Sequence, residues 1–151
     1  MDELTENIES KINLIELNNS TLYDLPSHII VPNYDRSKLN AGIVHIGVGN
    51  FHRAHLSWYI HRLLERGMAN NWSIIGGSVR KQDSEMRNKL LSQDFLTTLI
   101  ELDPNGDNHA EIVGAMIDYV PIDEDNKSLI QIMANPQIKI VSMTITEGGY
   151  Y

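Results

Sequence analysis

The sequence predicts an α/β fold on three observations. A short apolar strand near residue 45 runs straight into a glycine-rich turn and a helix, two further apolar strands alternate with helical stretches, and a separate hairpin signal stands near residue 105. Strand, glycine turn and helix in that order open a doubly wound parallel sheet of Rossmann-like type. Such a sheet has about six strands when complete. Three parallel strands and the hairpin are recognisable, so the expectation is the N-terminal part of a Rossmann-like doubly wound sheet with an inserted antiparallel hairpin.

The bulk properties suit that fold and exclude several function classes. A chain of 151 residues, 42% hydrophobic and 21% charged, is enough for one domain with a sizeable core. The formal charge is −8 with a pI near 5.1, and no Lys/Arg-rich run appears, which argues against nucleic acid and anionic membrane as partners. There is no cysteine, hence no disulfide, thiolate nucleophile or Cys-type zinc site. The acidic start Met-Asp-Glu-Leu-Thr-Glu lacks the pattern of a secretory signal, and no apolar run has the length of a membrane span, so the expected location is cytoplasmic.

Residues 1–40 read as an N-terminal arm laid over the domain at 41–151. A helical pattern using Ile8, Ile12 and Ile15 is broken by Asn18, Asn19 and Ser20. Pro26 and Pro32 bracket an extended run from Ser27 to Val31, and the stretch from Asn33 to Asn40 is polar and turn-rich. His28 is an isolated loop histidine and receives no role.

Gly42 to Ile46 reads as a buried strand, followed at once by Gly47 and Gly49. Gly47 permits a tight turn, Gly49 has no Cβ to keep a pyrophosphate off the backbone, and the first helical N–H groups lack intrahelical partners. Ile46, Gly47, Val48, Gly49, Asn50, Phe51, His52 and Arg53 are therefore the candidate cofactor-binding stretch. The alternative is an ordinary glycine-capped turn, and Arg53 can equally reach a phosphate or lie in solvent. His52 stands where the G-x-G-x-x-G fingerprint has its third glycine, so the helix is expected to sit further from the strand. That helix is expected to run unbroken from Phe51 to about Arg66, with Gly67 just past its end and an apolar stripe of Ala54, Trp58, Tyr59, Leu63 and Leu64. His52, His55 and His61 invite a metal, but zinc takes three or four ligands and no carboxylate pair or cysteine stands at ligand spacing. No metal is assigned; packing and hydrogen bonding around the loop explain them.

Trp72 to Gly76 is the second strand, with Gly77 and Ser78 opening the loop after it. No acid closes this strand; Arg80, Lys81, Gln82 and Asp83 follow instead, and Asp83 with Ser84 and Glu85 also makes a good start for a helix ending near Ser92. Phe95 to Leu102 and Glu111 to Val120 read as two strands joined through Asp103-Pro-Asn-Gly-Asp-Asn108, an antiparallel hairpin. An acidic helix start at Asp123 to Asn126 leads into Leu129, Ile130, Ile132 and Met133, ending before Pro136. Ile138 to Ile145 is the last strand, with Thr144, Thr146 and Glu147 at the carboxyl end where open parallel sheets hold ligands; Thr144 joins the candidate cofactor-binding residues.

His45-Ile-Gly-Val-Gly-Asn-Phe-His-Arg-Ala-His55 resembles the opening strand and loop of the long-chain polyol dehydrogenases, the mannitol dehydrogenase family. Ile140-Val-Ser-Met-Thr-Ile-Thr-Glu-Gly-Gly-Tyr150 is a second match. Trp72-Ser-Ile-Ile-Gly76 with Arg80 and Asp83 is a looser third, so the resemblance spans residues from about 25 onward. It implies NAD as cofactor, with Asp83 accepting from the adenine ribose. The neighbouring Arg80 and Lys81 could favour a 2′-phosphate, so NADP stays possible.

The resemblance also implies a reaction: hydride transfer between nicotinamide and a polyol or keto sugar, without a metal. The branch interconverting mannitol and fructose matches Ser-Ile-Ile-Gly and Thr-Glu-Gly-Gly-Tyr best. The fructuronate and mannonate oxidoreductases of the same family share Phe-His-Arg-Ala-His and stand as the alternative, as does a non-catalytic nucleotide-binding module or a purely structural fragment. In the family a lysine with asparagine and histidine partners does the proton chemistry, from a large helical domain beyond the position of Tyr151. Lys89 and Lys127 read as surface, so no catalytic residue is assigned here. This chain alone is expected to be inactive and to self-associate through the open edge of its last strand, Ile138, Ile140, Val141, Met143 and Ile145.

Overall fold

The computed structural model describes residues 14–145. Ile8 and Ile12 of the first helical pattern, and Thr146, Glu147, Gly148 and Gly149 at the far end, lie outside the described residues.

Four parallel strands form the main sheet: β1 (Ala41–Ile46), β2 (Ser73–Gly77), β5 (Met116–Tyr119) and β6 (Ile140–Met143), in the order β5-β2-β1-β6. β3 (Thr97–Glu101) and β4 (His109–Val113) pair antiparallel as a separate two-stranded sheet. Between them run α1 (Asn50–Ala54), α2 (Leu56–Glu65), α3 (Ser84–Ser92) and α4 (Lys127–Met133). The α/β class with a parallel sheet and an antiparallel hairpin is thus observed.

β1 and β2 are apolar on both faces because both are covered. Ile43 and Ile74 pair in register and pack with Leu90, Phe95, Met116 and Tyr119 on one side, where Leu56 and Ile60 of α2 join them. Val44 and Ile75, the next pair, pack on the other side with Val120 and Leu129, under α4. Helices on opposite faces reverse the strand order at the β1–β6 junction, and this reversal positions the site described below.

Several sequence expectations are corrected. The run from Glu111 to Val120 is not one strand. It breaks at Gly114 and Ala115, its first half completing the hairpin and its second becoming β5, the third parallel neighbour in the main sheet. The physical cause is a close approach: the Arg36 guanidinium donates to the carbonyls of Gly114 (3.0 Å), Met116 (2.9 Å) and Asp94 (2.7 Å), and a Cβ on Gly114 would lie 3.0 Å from Arg36 Cδ. Phe95 likewise precedes β3 in a positive-φ turn (φ 61°) and is not part of the strand.

The helix expected from Phe51 to Arg66 is broken at His55 (φ −124°, ψ −86°). His52 is buried in α1, whereas Ser57, His61 and Leu64 are buried in α2. The five-residue step from His52 to Ser57 does not fit a 3.6-residue period, and the break brings both sets onto the sheet. For the same reason the expected stripe is displaced: Ala54, Tyr59 and Leu63 are exposed, and of that set Leu64 alone is buried. The end of α2 is as expected. Gly67 (φ +70°) donates to Leu64 (2.9 Å) and Met68 donates to Leu63 (3.0 Å), a Schellman closure.

The described part of the arm lies on the hairpin. Leu22 packs with Leu96 and Ile112, and Ile30 makes an isolated parallel bridge to Glu111. Residues 14–17 carry no helix. The last strand is shorter than expected, Ile140–Met143, and among the described residues it pairs with β1 alone.

Candidate functional site at the β1–β6 junction

β1 ends at Ile46, and the chain turns through Gly47 at φ +92°, a conformation that favours glycine. The Gly47 N–H donates to the Gly77 carbonyl (2.9 Å), tying the turn to the end of β2, and Gly49 N–H folds back onto the Gly47 carbonyl (2.9 Å). A Cβ on Gly47 would stand 3.2 Å from the Thr144 carbonyl oxygen. Gly49 is different: its backbone is extended (φ −96°, ψ −172°), open to any residue, and among the described residues no atom beyond its chain neighbours comes within 4 Å of where its Cβ would be. One glycine is demanded by the backbone; the other borders open space among the described residues. Val48 between them is buried against Gly76, where a Cβ would meet Val48 Cγ2 at 2.8 Å.

Asn50 and Phe51 begin α1 and are exposed, Phe51 stacking its ring on His55 with centroids 4.8 Å apart. Arg53 folds back over the turn, its guanidinium on the Asn50 side-chain oxygen and, at 3.4 Å, on the Gly49 carbonyl. α1 is only five residues long, so its dipole is small. Attraction for an anion at this turn therefore rests on individual N–H groups and on Arg53.

Behind the turn lies a polar cluster inside an otherwise apolar strand. His45, 4% exposed, reaches across to β6, with Nδ1 2.9 Å from Ser142 Oγ and Nε2 3.0 Å from Thr144 Oγ1. A neutral imidazole has one donor and one acceptor, so one hydroxyl donates to the ring and the other accepts from it. His52, 1% exposed, lies flat on His45 with centroids 3.9 Å apart at 16°. Among the described residues neither His52 ring nitrogen has a hydrogen-bond partner. Burial, with the nearby His45 and Arg53, pushes His52 down to about 3, and burial also lowers His45. Both rings are neutral at pH 7.

The loop after β2 holds Asp83. Arg80 grips its carboxylate through Nη2 to Oδ1 (2.9 Å) and Nε to Oδ2 (3.1 Å), and Ser78 Oγ donates to Oδ2. Burial pushes the Asp83 carboxyl up, but the Ser78 hydroxyl and the Arg80 guanidinium outweigh it and hold it below the usual carboxylate range. The expected second use of Asp83, as a helix cap, is not seen: its side chain makes no capping bond to α3.

The fold thus gathers Ile46, Gly47, Val48, Gly49, Asn50, Phe51, His52, Arg53 and Thr144 around one junction, with Asp83 on the β2 side of it. Of the three histidines expected around the loop, His52 lies behind it and His55 is exposed. His61 is elsewhere, accepting from Tyr34 (2.7 Å) at the arm. Among the described residues no three His, Cys, Asp or Glu form a metal-holding group. Sequence reasoning missed His45, Ser142 and Ser78; a histidine within an apolar strand was the available signal for the first. A cavity of about 930 Å³ lies apart from this junction, between the arm and Asp94, Phe95 and Ile117.

A parallel sheet with a glycine turn where its strand order reverses defines a Rossmann-type α/β domain. The chain belongs to the mannitol dehydrogenase family, whose Rossmann-domain model, described as "Mannitol dehydrogenase Rossmann domain", matches residues 41–150. It is 53% identical over 120 residues to mannitol 2-dehydrogenase of Cereibacter sphaeroides, covering 80% of this chain and 25% of that protein. It is 43% identical over 135 residues to mannitol dehydrogenase 2 of Saccharomyces cerevisiae, covering 89% of this chain and 27% of that one. The Pseudomonas fluorescens mannitol 2-dehydrogenase, solved as a ternary complex with NAD and D-mannitol, superposes with a TM-score of 0.85 at 40% identity, over 90% of this chain and 28% of that one. A D-sorbitol dehydrogenase in substrate-free form gives 0.79 at 38% identity, over 89% and 28%. This chain therefore spans about a quarter of the length of these relatives.

Proposed function

We propose that this chain supplies the NAD-binding part of a polyol dehydrogenase that interconverts mannitol and fructose. The observation that carries the proposal is the contrast between the two glycines: Gly47 is held by backbone geometry, whereas Gly49 faces space that none of the described residues occupies. A diphosphate can approach the backbone closely at such a glycine, since no Cβ stands between them. Gly49, Asn50 and Phe51 offer backbone to the pyrophosphate, and Arg53 offers charge. Asp83 receives the adenine ribose on the β2 side, and Ile46 and Thr144 border the nicotinamide half on the β6 side. An ionised Asp83 accepts from ribose hydroxyls and repels a 2′-phosphate, which favours NAD over NADP.

When bound, the nicotinamide accepts a hydride from a polyol carbon or returns it to a ketone. The described residues orient and bind; none of them is assigned the proton transfer. Lys89 and Lys127 stand on the surface, beside Glu85 (2.7 Å) and Asp125 (3.7 Å). The proton acceptor of the family, a lysine in a helical domain, is assigned outside residues 41–151. Mannitol is favoured over the uronate alternative because three of the four relatives described above are named for mannitol and the fourth for another polyol, D-sorbitol.

We place the protein in the cytoplasm on its cysteine-free composition, which suits a reducing compartment; among the described residues no helix is long and apolar enough to cross a membrane. Self-association of this chain is supported by the β6 edge, where Ile140 and Met143 are 45% and 55% exposed. NADH titration of the chain, followed by fluorescence, tests the cofactor reading: saturable binding that Gly49→Val weakens is expected, and no binding by the unaltered chain would overturn it.

A further inference from the structure

Why a histidine occupies the place of the third fingerprint glycine is answered by what lies beneath it. In the glycine version the helix packs directly on the strand. Here the His52 ring is inserted between α1 and β1, flat on His45 at 3.9 Å. His45 in turn spans to both hydroxyls at the end of β6, Ser142 and Thr144. One continuous contact therefore runs from the first turn of α1, through two stacked rings, to the opposite wall of the junction. We propose that His52 and His45 are a positioning pair: His52 sets the height of the Gly47–Gly49 turn above the sheet, and His45 fixes the β6 wall against it. This rests on the dinucleotide reading above.

The two residues act on different halves of the ligand. Asp83 lies on the β2 side with the adenosine half, so β6 borders the nicotinamide half, and the turn under the pyrophosphate serves both. The stack of His52 on His45 is a contact of ring faces, and among the described residues the His52 nitrogens bond to none, so the ring acts by shape and a phenyl ring of similar outline substitutes for it. His45 acts through both nitrogens, and a phenyl ring cannot replace it.

The test is equilibrium titration of the full chain with NADH and, separately, ADP-ribose, alongside thermal unfolding of each variant. His52→Gly, which restores the glycine fingerprint, is expected to weaken NADH and ADP-ribose together by about tenfold or more. His52→Phe is expected to bind both within about twofold of the unaltered chain. His45→Phe keeps the stack and frees Ser142 and Thr144, so it is expected to weaken NADH while leaving ADP-ribose unchanged, a split that general loss of stability does not produce. Unchanged affinity in His52→Gly, equal loss in His52→Phe and His52→Gly, or equal loss of both ligands in His45→Phe would overturn the positioning pair while leaving the dinucleotide reading intact. No binding of either ligand by the unaltered chain would overturn both.

Discussion

The carbonyl oxygen of Thr144 lies 3.2 Å from the point a Cβ on Gly47 would occupy, so the glycine turn and the last strand are fitted to each other directly. Gly47→Ala must both adopt φ near +92° and push Thr144 away, and is expected to destabilise the fold by about 1–3 kcal/mol. Gly49→Ala meets nothing and is expected to leave stability within about 0.5 kcal/mol. Urea unfolding of the two variants checks this; equal losses would remove the distinction between the two glycines.

Asp83 and Arg80 form a bidentate pair at the mouth of the β2 loop. Asp83→Ala removes the ribose acceptor and releases Arg80, so NAD affinity is expected to fall while NADP affinity holds or rises. Competitive titration with the two cofactors measures the ratio. If both fall alike, Asp83 serves only to hold the loop.

Burial lowers His52 to about 3 and His61 to about 4, from an ordinary 6.5. Below pH 6.5 the unfolded chain therefore takes up protons that the folded chain refuses. Stability is expected to fall as pH drops from about 6.5 toward 4, each ring contributing a slope of up to about 1.4 kcal/mol per pH unit. His52→Phe should flatten its share of this slope and, by removing two buried nitrogens that have no partner among the described residues, leave stability at pH 7 unchanged or higher. Urea midpoints at pH 7 and 5 decide it.

Arg36 joins the arm to the corner where the hairpin gives way to β5. Arg36→Ala strands the carbonyls of Gly114, Asp94 and Met116 and is expected to cost about 2–4 kcal/mol. Arg36→Lys should recover little, because an ammonium cannot span three carbonyls as the planar guanidinium does. Rescue by lysine in thermal unfolding would refute that account.

On β6, Val141 and Met143 are half exposed at the sheet edge. Val141→Lys with Met143→Lys is expected to shift the chain toward monomer in sedimentation, since charge on an edge blocks strand pairing. An unchanged distribution would place self-association elsewhere.

Much of this was legible in the sequence because it is local. The order of strand, glycine turn and helix at 41–66 follows from residue periodicity and from φ preferences that neighbouring residues settle among themselves. The α/β class, the close of α2 at Gly67 and the positions of β2 and α4 were read in that way. The tertiary structure alone decided the rest, and in each case the deciding partner is distant in the chain. The run from Glu111 to Val120 is interrupted only by Gly114 and Ala115, a weak local signal, and it is Arg36, far upstream, that makes Gly114 the corner sending the second half into the parallel sheet. His45 looks like a misplaced polar residue until Ser142 and Thr144, nearly a hundred positions later, arrive at hydrogen-bonding distance. His52 reads as a departure from a fingerprint until the ring beneath it is known. Local sequence sets which backbone shapes are cheap. Which buried polar group meets which partner depends on packing between segments, and the sequence of one segment does not encode the position of another.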